Sequence, residues 1–210
     1  MATKQGWTGR VFEDFTVGDV YEHPLGRTIL DADNVWFTCL TMNTNPIHFD
    51  GEYAKQTEFK RRLVNSCFTL SLVTGQSVTD LTVNGVANLG WDNVRLPHPL
   101  FEGDTIYSSS EVLEVRASKS RPAVGIVRVK TTGVNQDRTP VIEFTRTFMV
   151  RSVTDCPVTS ESVKHEFTSR FLNSVRAAYS PSKWIGFVFI VRHVNQTLSA
   201  SSTVRPSGCW

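Results

Sequence analysis

No long hydrophobic run occurs in this 210-residue chain. The longest apolar stretch, Trp184 to Val191, is far short of the roughly 20 residues a spanning helix needs, so membrane spans are excluded. Charge of one sign is equally scarce. The 22 basic and 20 acidic residues leave +2, and no basic run is longer than Lys60-Arg61-Arg62, so a nucleic-acid groove is not expected. Cysteines are few, and Cys39, Cys67, Cys156 and Cys209 never form a Cys-x-x-Cys pair, which argues against a zinc knuckle or a disulfide scaffold. The five histidines show no His-x-x-x-His spacing, and a structural metal is not expected. The amino terminus has no apolar signal core before Glu13 and Asp14, which argues against a secretory or transit peptide; a cytoplasmic location is expected, with the mitochondrial matrix and the peroxisome left open. What is present is ordinary globular material: 40% apolar and 10% aromatic residues can bury a core.

The chain changes character near Val153. Residues 153–210 hold six Lys/Arg and three Asp/Glu, so the tail carries about +3 and the body about −1. The tail is Ser-rich, with one amphipathic stretch from Ser162 to Tyr179, then Pro181 and an apolar segment from Ile185 to Val191. The expected division is one domain over residues 1–152 and an appendage over 153–210.

Within the body, Asp31 or Asp33 can cap a helix with the apolar stripe Val35, Trp36, Cys39 and Leu40. That helix should stop near Met42, because Asn43-Thr44-Asn45-Pro46 is rich in turn formers. A helical turn is expected over Asp50 to Gln56. The segment from about Ser66 to Leu81 is apolar on most sides, as for an enclosed helix, although Phe68 to Leu72 also alternates like a strand; length favours helix. From Ala87 the signal is strand: Ser109 to Arg116, Val124 to Thr131 and Val141 to Val150 are β-branched-rich and separated by turns. In the last run Ile142, Phe144, Phe148 and Val150 share a face that Arg146 interrupts. Helices first and antiparallel strands after imply an α+β domain, one sheet wrapped on a long central helix.

The most unusual segment is Asn43-Thr-Asn-Pro-Ile-His-Phe-Asp50, with two amides, an imidazole and a carboxylate in eight residues. Only histidine titrates near neutral pH without help, so His48 is the acid/base candidate. Asn43, five residues earlier across a turn, could orient a water or carbonyl. The plain alternative is turn capping by Asn and Asp around a satisfied histidine.

That segment, a buried helix after it, and then Val94-Arg-Leu-Pro-His-Pro-Leu-Phe-Glu-Gly-Asp104 resemble the MaoC-like hydratases over roughly residues 10–150. Those are hot-dog-fold enzymes that add water to, or remove it to form, the double bond of an enoyl thioester. Val64-Asn-Ser-Cys-Phe-Thr-Leu and Asn88-Leu-Gly-Trp-Asp92 look closest to the mesaconyl-CoA or methylmalyl-CoA hydratase branch.

By that resemblance the family histidine falls on His48 and its catalytic aspartate on Asn43, a departure, since an amide cannot take a proton from water. Asp50 is then a candidate for the missing negative charge. The family's oxyanion donor, a backbone N–H at a glycine opening the central helix, falls at Asn65-Ser66; the Ser66 N–H can serve, because the donor belongs to the peptide. Cys67 follows it, read as a small helix residue. Trp91 and Arg95 are candidates for an acyl or phosphate subsite, with core packing favoured for Trp91. Lys119 and Arg121, in a hairpin loop, suit the phosphates of coenzyme A or simply a solvated turn.

The implied activity is that of a hydro-lyase on a short acyl-CoA, with no metal or redox cofactor, working as a homodimer with sheets paired edge to edge. Two other readings remain: a catalytically silent acyl-CoA binder, which the loss of the carboxylate at Asn43 would produce, and a hot-dog thioesterase.

Overall fold

The computed structural model describes residues 6–153. An extended opening with a single 3-10 turn at Phe12–Asp14 leads to two short strands, β1 (Val20–Glu22) and β2 (Arg27–Thr28). Three helices follow: α1 (Asp31–Leu40), α2 (Gly51–Gln56) and α3 (Ser66–Gln76). A π-helical turn, Val78–Thr82, ends α3 and hands the chain to four long strands: β3 (Gly85–Arg95), β4 (Thr105–Ala117), β5 (Val124–Val134) and β6 (Pro140–Arg151). All pairings are antiparallel, in the order β1-β4-β5-β6-β3, with β2 also paired to β4. This is the expected α+β arrangement, with the sheet curved around α3.

The sheet's inner face follows the alternation in the sequence. On β6, Ile142, Phe144, Arg146, Phe148 and Val150 all point to the helix side and are buried. Ile142 and Phe144 pack with Val73 of α3, Ile29, Ile106 and Leu100. Phe148 and Val150 pack with Leu81 of the π turn, Val112, Val127, Val129 and Phe15. Each such side chain is worth about 1.5–3 kcal/mol once removed from water. Gly133 sets the helix height: a Cβ there would stand 2.7 Å from Ile142 Cγ2 and 3.0 Å from Val73 Cγ2, so α3 can sit this close only over a glycine.

Three expectations are corrected. The stripe of α1 faces the wrong way: Trp36 is 46% and Leu40 76% exposed, whereas polar Asn34 and Thr38 are fully buried, because side-chain hydrogen bonds hold that face inward. The helix α3 is buried only along Thr69, Val73 and Gln76, with Phe68, Leu70 and Leu72 half covered, so a single chain does not enclose it. Trp91 is not core. It is 41% exposed, since β3 is an edge strand with no neighbour beyond it. The tail expectations over 154–210 lie outside the described residues.

Candidate active site

The loop from Met42 to Asp50 is fixed by its own short side chains. Met42 adopts a left-handed φ of 53°, which ends α1 and lets the Asn43 N–H donate to Thr38 O at 3.0 Å. Asn43 Oδ1 accepts the Asn45 N–H at 3.0 Å, and Asn45 Oδ1 accepts the Ile47 N–H at 3.2 Å, starting a 3-10 turn over Pro46–His48. Buried Ile47 pins that turn to the body, leaving the half-buried His48 on its last position.

His48 Nδ1 lies 2.9 Å from the carbonyl oxygen of Leu63. A carbonyl only accepts, so Nδ1 carries the proton, and in the neutral imidazole Nε2 is the bare nitrogen. The segment opposite is held at several points. Leu63 N–H donates to Ile47 O at 3.1 Å, and Val64 N–H donates to Leu100 O at 2.9 Å. Leu63 thus orients the ring and also spaces His48 from the start of α3.

Asn34 joins the two parts. Its Nδ2 donates to His48 O (2.9 Å), Leu63 O (3.0 Å) and Glu102 Oε1 (3.1 Å), and its Oδ1 accepts the Asn65 N–H at 2.9 Å. Asn65 in turn caps α3: its Oδ1 accepts the Cys67 N–H at 3.0 Å, and its Nδ2 donates to Thr38 Oγ1 at 3.2 Å. Behind them Arg62 bridges Glu102 and Asp31, at 2.8 Å each. The caps leave the Ser66 N–H, first in α3 and at its positive end, without a partner among the described residues.

Asn34 therefore ties the His48 loop to Asn65 and Ser66 at the start of α3, while Asn43 stands earlier on that loop, bonded to Thr38 and Asn45. Asp50 is a helix cap: its Oδ1 accepts the N–H groups of Glu52 and Tyr53 at 2.9 and 3.1 Å, so its charge is committed to α2. Cys67 is exposed on the first turn of α3. Trp91 Nε1–H donates to Thr74 Oγ1 at 3.3 Å, and Arg95 ends β3 beside Glu143 of β6, exposed. Lys119 and Arg121, exposed in the β4–β5 hairpin, stand at the end of the 13-residue β4 remote from Leu100 and Val64, about 40 Å along the strand. Within one chain they are apart from His48.

Sequence reasoning missed Asn34, Thr38, Arg62 and Glu102. One signal was available for Asn34: asparagine competes with helix backbone bonds, so its place inside α1 asks for a specific use. Among the described residues no group of three or more His, Cys, Asp or Glu could hold a metal ion, and no helix is long and apolar enough to cross a membrane.

Residues 2–170 match a family model described as mesaconyl-CoA hydratase. The mesaconyl-CoA hydratase of Cereibacter sphaeroides is 32% identical over 143 residues, covering 68% of this chain and 41% of that protein. A crystal structure of a MaoC domain protein dehydratase from Chloroflexus aurantiacus J-10-fl superposes with a TM-score of 0.69 at 30% identity, over 75% of this chain and 45% of that one. A Mycobacterium tuberculosis protein with a double hot-dog fold superposes with a TM-score of 0.65 at 23% identity, over 70% of this chain and 46% of that one. The fold is the hot-dog fold, and the chain spans about two-fifths of the length of the mesaconyl-CoA hydratase and β-methylmalyl-CoA dehydratase relatives it matches.

Proposed function

The chain belongs to the mesaconyl-CoA hydratase family, and we propose that it acts as a hydro-lyase, adding water to or removing it from a short acyl-CoA thioester. The observation that carries the reading is the His48–Leu63 hydrogen bond, which fixes a histidine with Nε2 bare in the same braced region as the open N–H that starts α3.

The thioester oxygen is placed on the Ser66 N–H, where the helix dipole and the peptide donor stabilise the charge that develops in the enolate. Asn43 has spent Oδ1 on Asn45, and its Nδ2 is left to donate to the oxygen of a water. His48 Nε2 takes that water's proton as its oxygen bonds to the β-carbon. The proton goes on to the α-carbon as the enolate collapses, so His48 returns to its neutral form. Hydration leaves the substrate at the same overall oxidation level, so the proposal includes no redox or metal cofactor.

We further propose a homodimer. The edge strand β3 runs for 11 residues almost wholly exposed, with Val86, Leu89, Trp91 and Val94 uncovered. Antiparallel pairing of β3 with its copy turns the two chains end for end. The Lys119–Arg121 hairpin of one then lies at the sheet end that holds His48 in the other, which is how the basic pair joins the site and meets the phosphates.

Loss of enone absorbance on mesaconyl-CoA, crotonyl-CoA and longer enoyl thioesters tests the activity; no turnover on any of them rejects it. One observation favours a second reading. With Asn43 in place of a carboxylate and Asp50 Oδ1 capping α2, the loop has no carboxylate at the position five residues before His48, as in a silent acyl-CoA binder. Binding without turnover would mark that case.

A further inference from the structure

Arg146 is a cation inside an apolar row. It lies on β6 between Phe144 and Phe148, is 2% exposed, and stacks on the Phe148 ring at 5.1 Å. A buried charge costs several kcal/mol unless it is paired. Its three hydrogen bonds all end on neutral oxygens: Nε to Asn88 Oδ1 at 2.8 Å, Nη1 to Ser77 Oγ at 2.9 Å and Nη2 to Thr82 Oγ1 at 3.3 Å. No carboxylate stands within ion-pair distance of it among the described residues. Burial pulls the guanidinium down to about 10, which still leaves it charged at neutral pH. Each terminal nitrogen keeps a donor beyond the bonds already made.

The guanidinium lines an open cavity of about 280 Å³ between the end of α3 and β3, together with Thr74, Val78, Thr82, Val86 and Asn88. The π-helical turn makes this arrangement, since the extra residue per turn swings Thr82 under β6 while Ser77 caps the helix. A cavity of mixed lining, with hydroxyl and amide groups beside an uncompensated fork of donors, suits a planar anion of a few heavy atoms.

We propose that this cavity binds the carboxylate of a small organic acid, with Arg146 as its anchor. The site is separate from the thioester site. Ser77 stands one length of α3 from Ser66, about 16 Å along the axis, beyond the reach of a short acyl group whose carbonyl is held at the Ser66 N–H. The carboxylate comes from a free acid or from the distal end of another acyl thioester, and binding does not depend on the proposed activity.

Asn88→Asp provides the test. It supplies, at nearly unchanged volume and on the same 2.8 Å contact, the internal carboxylate that Arg146 lacks, so an external acid is displaced while the fold keeps its bonds. Calorimetric titration of the full chain with mesaconate should show binding to the parent. Affinity should fall at least tenfold in Asn88→Asp, whose melting temperature should match or exceed the parent's. Arg146→Lys, which keeps a charge and loses the fork, should weaken binding by a similar factor. In a second arm, a long-chain dicarboxylic acyl-CoA, whose chain can span the roughly 16 Å from the Ser66 N–H, is compared with its monocarboxylic counterpart. If free mesaconate does not bind, and Asn88→Asp weakens the dicarboxylic thioester at least tenfold while sparing the monocarboxylic one, the carboxylate is that of the thioester and the site stands. Absence of mesaconate binding with no such discrimination, or mesaconate binding that Asn88→Asp leaves unchanged, overturns the proposal.

Discussion

The side-chain oxygen of Asn34 accepts the backbone N–H of Asn65 at 2.9 Å, while the amide nitrogen of the same residue holds the His48 carbonyl, also at 2.9 Å. One buried amide thus sets the position of the histidine loop against the start of α3, and neither element supplies the link itself. Asn34→Ala would leave the Asn65 N–H and the His48 carbonyl unpaired, at a cost of about 3 kcal/mol. The melting temperature should drop, and kcat of the folded fraction should drop with it, because the ring and the Ser66 N–H lose their common brace. Thr38→Val removes only the Asn65 Nδ2 bond and should cost about 1 kcal/mol with turnover largely kept. Equal activity in the two variants, measured well below their melting temperatures, would remove Asn34 from a positioning role.

These residues show where the sequence could be read and where it could not. Three of the four long strands were legible because β-branched alternation and turn residues act locally, and the Ile142–Val150 face matches the buried row. Asp50 at the head of α2 was legible for the same reason, since a cap bonds within its own turn. The inward face of α1 was not. Hydrophobic periodicity points to Trp36 and Leu40, but the face is chosen by hydrogen bonds of Asn34 and Thr38 with segments 14 to 68 residues away. Trp91 misled in the opposite sense: an aromatic on a strand reads as core unless the strand is known to be an edge. The brace between the loop and α3 consists mostly of backbone partners, which carry no sequence signal at all.

Asp50 offers a clean separation of charge from capping. Asp50→Ala should cost about 1 kcal/mol through loss of the cap bonds to Glu52 and Tyr53. Asp50→Asn caps nearly as well, so its stability should stay near that of the parent. Turnover should be close to parental in both. A tenfold loss in Asp50→Asn at unchanged stability would return the carboxylate to the mechanism.

Glu13 ties the opening of the chain to the end of β6. Burial pushes its carboxyl up, but hydrogen bonds from the Ser152 hydroxyl, the Val153 N–H and its own N–H outweigh this and hold it below the usual glutamate range. A carboxyl lowered in the folded state stabilises the fold fully above its unfolded value and loses that contribution as pH falls through the folded one. The contact should hold at neutral pH and weaken as the solution is acidified through the carboxylate range. Glu13→Gln should flatten this acid limb of the melting temperature while leaving the neutral value little changed. An acid limb of the same slope in Glu13→Gln would assign the sensitivity elsewhere.

The His48–Leu63 bond makes the mechanism testable by substitutions that differ in kind. His48→Ala removes the bare Nε2, and turnover should fall on the order of 10²- to 10⁴-fold with KM little changed. His48→Gln keeps a donor that can face the Leu63 carbonyl but offers no base, so it should be as slow as the alanine variant at higher stability. At position 43, Asn43→Ala loses both the turn bond to Asn45 and the donor to water, and should be slow and slightly less stable. Asn43→Asp keeps an oxygen for the Asn45 N–H and frees the second as a base, so it should equal or exceed the parent. Its rate should gain an acid limb in the carboxylate range that the parent lacks. A His48→Ala enzyme as fast as the parent would remove His48 from the chemistry. A parent that binds enoyl thioesters without turning them over, beside an active Asn43→Asp, would identify the native protein as a binder that one amide has silenced.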